Sequence, residues 1–95
     1  MSEYYILNVN GDPEPCDLMT WLQTARQNRV LASDHIGDVH VSTVFLGLDH
    51  SFGGAFPILW ETMIFGGPHD QYQDRYSSKE DALAGHAKAL AMVQR

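Results

Sequence analysis

Two apolar runs limit most strongly what this chain can become. They are Val39-His40-Val41-Ser42-Thr43-Val44-Phe45-Leu46-Gly47 and Ile58-Leu59-Trp60-Glu61-Thr62-Met63-Ile64-Phe65. Neither alternates cleanly between apolar and polar residues, yet their β-branched and aromatic content argues for strands over helix. Punctuation agrees: Pro57 precedes the second run and Gly66-Gly67-Pro68 ends it. Strands apolar on both faces lie in the middle of a sheet or against a partner. The segment Leu48 to Phe56, with Gly53-Gly54, joins them as a Gly-rich, His-containing loop.

The flanking segments supply the rest of one domain. Tyr4 to Val9 reads as a short strand running into the turn cluster Asn10-Gly11-Asp12-Pro13, after which Pro13 and Pro15 keep the chain extended. Asp17 suits the cap of a helix from Leu18 to Arg29, with Leu18, Trp21, Leu22 and Ala25 at helical spacing and Arg26 and Arg29 at its C-terminal end. Val30 to Ser33 is extended again, and Ile36-Gly37-Asp38 is a tight reversal into the first long run. His69 to Tyr76 is polar and without a clear period. Ser77-Ser78-Lys79-Glu80 matches a capping box before a final helix, Ser78 to Gln94, whose apolar side holds Ala82, Leu83, His86, Ala87, Leu90 and Val93. A glycine in mid-helix costs about 1 kcal/mol relative to alanine, so Gly85 predicts a close backbone approach.

The predicted order is strand, helix, three strands, helix. It implies a single α+β domain over residues 1–95, in two layers: an antiparallel sheet of about four strands with both helices on one face. A sheet covered on one side leaves an apolar patch on the other, which predicts self-association or a protein partner.

Composition fits this size of core: 95 residues, 44% hydrophobic and 19% charged, lie outside the disordered regime. No run approaches the roughly 20 apolar residues of a membrane span, and MSEYYILNV lacks the basic start and apolar core of a signal peptide, so a cytoplasmic location is expected. Cys16 is the single cysteine and can form neither an internal disulfide nor a zinc framework. A net charge of −6 disfavours direct binding of nucleic acid, which requires cations to displace phosphate counterions. All six Lys and Arg residues lie in or beside the two predicted helices, while Val30 to Asp74 contains none against Asp34, Asp38, Asp49, Glu61, Asp70 and Asp74. A basic protein surface or a cation is the natural partner of that region.

Signatures of the P-loop, dinucleotide, zincin and α/β-hydrolase types are missing from the chain. What remains is Asp49-His50 after one central strand, Glu61 inside the next and His69-Asp70 beyond it. A hairpin places Asp49 and His50 near Ile58 and Leu59, a strand length from His69 at about 3.3 Å per residue. His40 is instead the neighbour of Gly66 to Asp70. His40, His69 and Asp70 thus form the candidate cluster for a metal or a general acid and base. Asp49-His50 also fits plain loop structure, His86 fits a hydrogen-bonded core histidine, and Glu61 requires either solvent or a buried partner.

The second half carries a resemblance. Val41-Ser42-Thr43-Val44-Phe45-Leu46-Gly47-Leu48-Asp49-His50, Phe52-Gly53, Glu61-Thr62-Met63-Ile64-Phe65-Gly66-Gly67-Pro68, Arg75-Tyr76-Ser77 and Gly85-His86 resemble a family of small, uncharacterised proteins encoded by bacteriophages and prophages. The likeness extends over about Val39 to Val93 and carries no residue roles. It implies a context in which small acidic proteins bind a host protein, as inhibitors of nucleases, defence complexes or transcription.

The leading expectation is therefore a non-catalytic, cofactor-free binding protein that engages a host or phage protein. Its expected contact residues are Asp49, His50, Phe52, Trp60, Glu61 and Tyr72, with Phe56 as a further aromatic anchor. The alternative is a nucleotide- or metal-binding protein, oligomeric, with pockets between protomers.

Overall fold

The computed structural model describes residues 3–24, 29–51 and 54–94. Both apolar runs form strands: β4 (Val39–Phe45) and β5 (Trp60–Phe65) pair antiparallel, with His40 opposite Phe65 and Phe45 opposite Trp60. β3 (Val30–Ile36) joins β4 through the two-residue turn Gly37-Asp38, and Gly37 has a φ of 58°, a conformation that hairpin turns need and glycine adopts without strain. β6 (Gln73–Tyr76) pairs with β5, completing a four-stranded sheet in the order β3-β4-β5-β6. As expected, the two doubly apolar strands are central.

Alternation along the strands places every second side chain under the final helix, α2 (Lys79–Val93). Phe45, Leu59 and Trp60 pack with Ala82 in one core cluster, and Val41 and Ile64 pack with Ala89 in another. The small residues of α2 let the helix lie close to the sheet. Its N-cap is Ser78, whose hydroxyl accepts from the Asp81 amide at 3.1 Å, one residue later than the Ser77 and Glu80 pairing the sequence suggested. Gly85 is closely approached, but by a side chain and not by backbone: the phenol of Tyr76 occupies the space a Cβ would fill.

The N-terminal strand departs from expectation. β1 (Tyr4–Leu7) forms a separate two-stranded ribbon with β2 (Pro13–Cys16), Tyr4 lying opposite Cys16. The ribbon abuts the continuation of β4. There Tyr5 N donates to Gly47 O at 2.8 Å and Asp49 N to Glu3 O at 2.9 Å, while Leu46 N donates to Leu59 O on the other side. β1 thus takes over the β4 edge that β3 leaves at Arg29, where Phe45 N donates to Arg29 O.

The helix α1 (Leu18–Thr24) is capped by Asp17, which accepts from Thr20 N at 2.8 Å. It packs on β1 and buries none of its described residues fully, while α2 packs on all four strands of the larger sheet, so the chain is the mixed α+β fold expected, with the α2 helix covering the main sheet. The predicted helix ran to Arg29. Ala25 to Asn28 lie outside the described residues, and Arg29 is non-helical, with Nη1 donating to Leu46 O at 3.1 Å and its guanidinium 4.9 Å from the Trp21 ring centroid. Among the described residues, no helix is long and apolar enough to cross a membrane.

Candidate binding surfaces and a buried polar relay

Asp49 and His50 lie at the end of the hairpin where strand geometry put them, and both are used by the loop. Asp49 Oδ1 accepts from Ser51 N at 2.8 Å and Ile58 N at 3.0 Å, and His50 Nδ1 donates to Leu48 O at 2.7 Å. Partial burial pushes the Asp49 carboxyl upward, but the two amide bonds and the nearby His50 outweigh it and hold it below the ordinary carboxylate value. This pair closes the loop.

At the opposite end, β4 alternation separates the expected cluster. His40 points away from α2: its Nε2 meets Ser33 Oγ at 2.8 Å, and its ring stacks on His35 with centroids 4.2 Å apart and planes at 7°. His69 instead lines a recess with Val39, Met92 and Val93 on the α2 side. Asp70 accepts from Gly66 N at 2.7 Å and shapes the turn. The three candidates do not converge, and among the described residues no group of three His, Cys, Asp or Glu could hold a metal ion.

Trp60, proposed as an anchor, is 2% exposed in the core, and Tyr72 packs half-buried against the Val41, Ile64 and Ala89 cluster. Trp60 is corrected from a contact residue to a core one, while Tyr72 keeps part of its ring at the surface. Phe52 lies outside the described residues, whereas Phe56 is exposed. Glu61 answers a partner: its Oε2 accepts from Arg75 Nε at 2.9 Å and from the Gln73 amide.

His86 is the hydrogen-bonded core histidine expected from the sequence, and the partners that sequence reasoning missed, Asp34, Thr43 and Thr62, join it between the two apolar clusters. His86 is 5% exposed; its Nε2 is 2.8 Å from Asp34 Oδ2 and its Nδ1 is 2.7 Å from Thr43 Oγ1, which in turn lies 2.5 Å from Thr62 Oγ1. A carboxylate can only accept, so Nε2 carries the proton; in the neutral ring Nδ1 then accepts from Thr43, and Thr43 accepts from Thr62. Carboxylate, imidazole and hydroxyl stand in the sequence of a nucleophile with its base and orienting acid. Thr43 is 0% exposed, however, and a substrate cannot reach it. The relay ties α2 to β3, β4 and β5. Its only legible signal was a threonine in the middle of each apolar run together with a histidine on the apolar face of the last helix.

Two surfaces stand out among the described residues, beside a more open groove of about 480 Å³ between β6 and α2 lined by residues from Asp74 to Lys88. The first is the sheet face away from α2, carrying His40, Ser42 and Val44 of β4, Glu61, Met63 and Phe65 of β5, and neighbours from β3 and β6. Phe65 is 45% exposed there. The second is a recess of about 140 Å³ between the β5–β6 turn and the C-terminal end of α2, lined by Val39, Gly66, Pro68, His69, Met92 and Val93. Its Gly66 lies against the backbone carbonyl of Asp38 and donates its N–H to the Asp70 carboxylate, and the last turn of α2 has no basic residue to offset its terminal carbonyls. When the chain is compared with models of known protein families, with curated proteins and with solved structures, none of the three comparisons finds a match.

Proposed function

We propose that this chain is a small, acidic, non-catalytic accessory protein that binds and modulates a host or phage protein, with inhibition of a host defence component as the expected class of effect. The observation that carries the reading is the recess beside α2, whose apolar lining of Val39, Pro68, Met92 and Val93 has the Asp70 carboxylate at its Gly66 edge. No Lys or Arg occurs between Val30 and Asp74, and Arg75 of β6 is already paired with Glu61. Such a site suits a long side chain with an aliphatic stem and a cationic head, so the partner presents a Lys or Arg at its point of entry. The contact moves from the Asp49-His50 loop to the other end of the sheet, since the loop groups are already occupied. At about 140 Å³ this recess is below the size of sites that enclose whole small-molecule ligands and suits a single protruding side chain.

Affinity capture from host or infected cells tests this, with the wild type compared with Asp38→Lys and Met92→Lys. A specific partner should be retained by the wild type, lost with either variant and weakened by added salt. Retention of nothing above background, or equal retention by folded variants, counts against it.

A further inference from the structure

We infer that the outward face of α1 is a docking surface for an amphipathic helix of a partner protein that carries Lys or Arg along its flank, an inference that goes beyond the proposed function and uses a different surface. A surface helix ordinarily turns its apolar residues inward and its polar ones to water. In α1 the arrangement is reversed. Thr20, Trp21 and Thr24 face the fold and are half-buried, while Leu18, Met19 and Leu22 are 46%, 65% and 49% exposed beside the exposed Gln23. Contacts of Trp21 fix this orientation: its ring lies 5.6 Å from that of Tyr4 and 4.9 Å from the Arg29 guanidinium, and its indole nitrogen fills the space a Cβ on Gly47 would need. Rotating the helix to bury Leu18 and Leu22 would break all three.

Shape and charge identify the occupant. Leu18 with Leu22, and Met19 with Gln23, form two i, i+4 rows, and rows of that spacing are the ridges that interlock with another helix. Residues 1–25 contain Glu3, Asp12, Glu14 and Asp17 and no Lys or Arg. Extending the β1–β2 register by one residue, from Tyr4 opposite Cys16, brings the exposed Glu3 and Asp17 together at the start of α1. Hydrogen bonding to Thr20 holds the Asp17 carboxyl below its ordinary value, so it stays ionised. Among the described residues, the nearby cations are committed elsewhere: Arg29 donates to Leu46 O and covers Trp21, and Lys79 Nζ lies beside Gly11 at the other end of the ribbon. This edge repels an anionic lipid surface or a nucleic acid, and a second copy brings the same carboxylates to it. A helix with apolar residues on one face and Lys or Arg beside them satisfies both the rows and the carboxylates.

The contact is short. The 7 residues of α1, at about 1.5 Å each, give a face about 10 Å long. A patch of that length lies at the low end for specific interfaces, so the encounter is weak and exchanges quickly.

Fluorescence anisotropy on the full chain tests the inference, with a labelled helical peptide of about 16 residues that carries leucines at i, i+3, i+4 and i+7 and lysines elsewhere. The expected dissociation constant lies between about 1 and 100 μM. Replacing the peptide's lysines by glutamates should weaken binding by about tenfold or more, as should Met19→Gln, and Glu3→Lys should weaken it by about fivefold or more. If Met19→Gln is unfolded by far-UV dichroism, Leu22→Gln, also exposed, replaces it with the same expectation. Phe65→Gln on the open sheet face and Met92→Gln at the recess should bind as the wild type does. Absence of binding up to about 1 mM overturns the inference, and so does equal affinity for the lysine and glutamate peptides. Wild-type affinity in a folded Met19→Gln or Glu3→Lys variant overturns it too, as does an equal loss in Phe65→Gln or Met92→Gln. Sedimentation velocity supplies the last arm: self-association of the wild type that Met19→Gln abolishes would make a second copy the occupant and overturn the assignment.

Discussion

The phenol of Tyr76 fills the space beside Gly85 that a side chain at that helix position would require. Alanine there improves helix propensity by about 1 kcal/mol, but forces the ring out of a packed interface at about 1–3 kcal/mol, so Gly85→Ala should be destabilising on balance. The effect should shrink when Tyr76 is also truncated to alanine, since the two residues share one volume. Urea denaturation of the single and double variants measures this coupling; strict additivity would sink it.

The relay through His86 predicts a cost for losing a hydroxyl that surface positions do not share. Thr43→Val leaves His86 Nδ1 without its donor in a buried site, which should destabilise by about 1–3 kcal/mol. Ser42→Ala, one residue away on the open face, should change little. Thermal unfolding of the pair gives the comparison. Nitrogen chemical shifts of the ring should report the Nε2-protonated tautomer, and an Nδ1-protonated ring would contradict the assigned direction of the chain.

Arg75 is 40% exposed in its side chain, yet its partner Glu61 is 11% exposed, so removing the two is not equivalent. Arg75→Ala strands a buried carboxylate on Gln73 alone and should cost about 1–3 kcal/mol, above the roughly 0–1 kcal/mol of an exposed pair. Glu61→Gln, which leaves only a half-exposed guanidinium, should cost less. Chemical denaturation at low and high salt distinguishes these cases.

The Asp49 clamp makes stability depend on pH in a definite direction. Its carboxyl is lowered in the folded chain despite partial burial, so its contribution is full above the ordinary carboxylate value, about 4, and is lost as pH falls through the lower folded value. Asp49→Asn should flatten the acid limb of the stability profile. An unchanged acid limb would show that the clamp contributes nothing there.

At alkaline pH the sign reverses for Tyr72 and Tyr76, both raised first by burial and further by Asp74. Their contribution is present below the ordinary phenol value, about 10, and is lost as pH rises through the higher folded values. Tyrosinate absorbance during alkaline titration should therefore show two late-titrating rings, both normalised in urea.

Local chemistry made much of the framework legible in the sequence alone. β-branched runs bounded by glycine and proline, a two-residue turn at Gly37-Asp38, Asp17 as a cap and a serine-led final helix all follow from near-neighbour preferences. The placement of Asp49-His50 beside Ile58, far from His69, also followed, because strand rise converts residue number into distance. Tertiary structure alone decided the rest. β6 has no period of its own and is a strand because Glu61 and β5 give its edge a partner. β1 left the main sheet because β4 outlasts β3 and offers its vacated edge. His40 and His69 parted because alternate residues face opposite sides of a sheet, while Asp34, Thr43, Thr62 and His86 met because register and helix packing, which no local preference encodes, brought them to one level of the core.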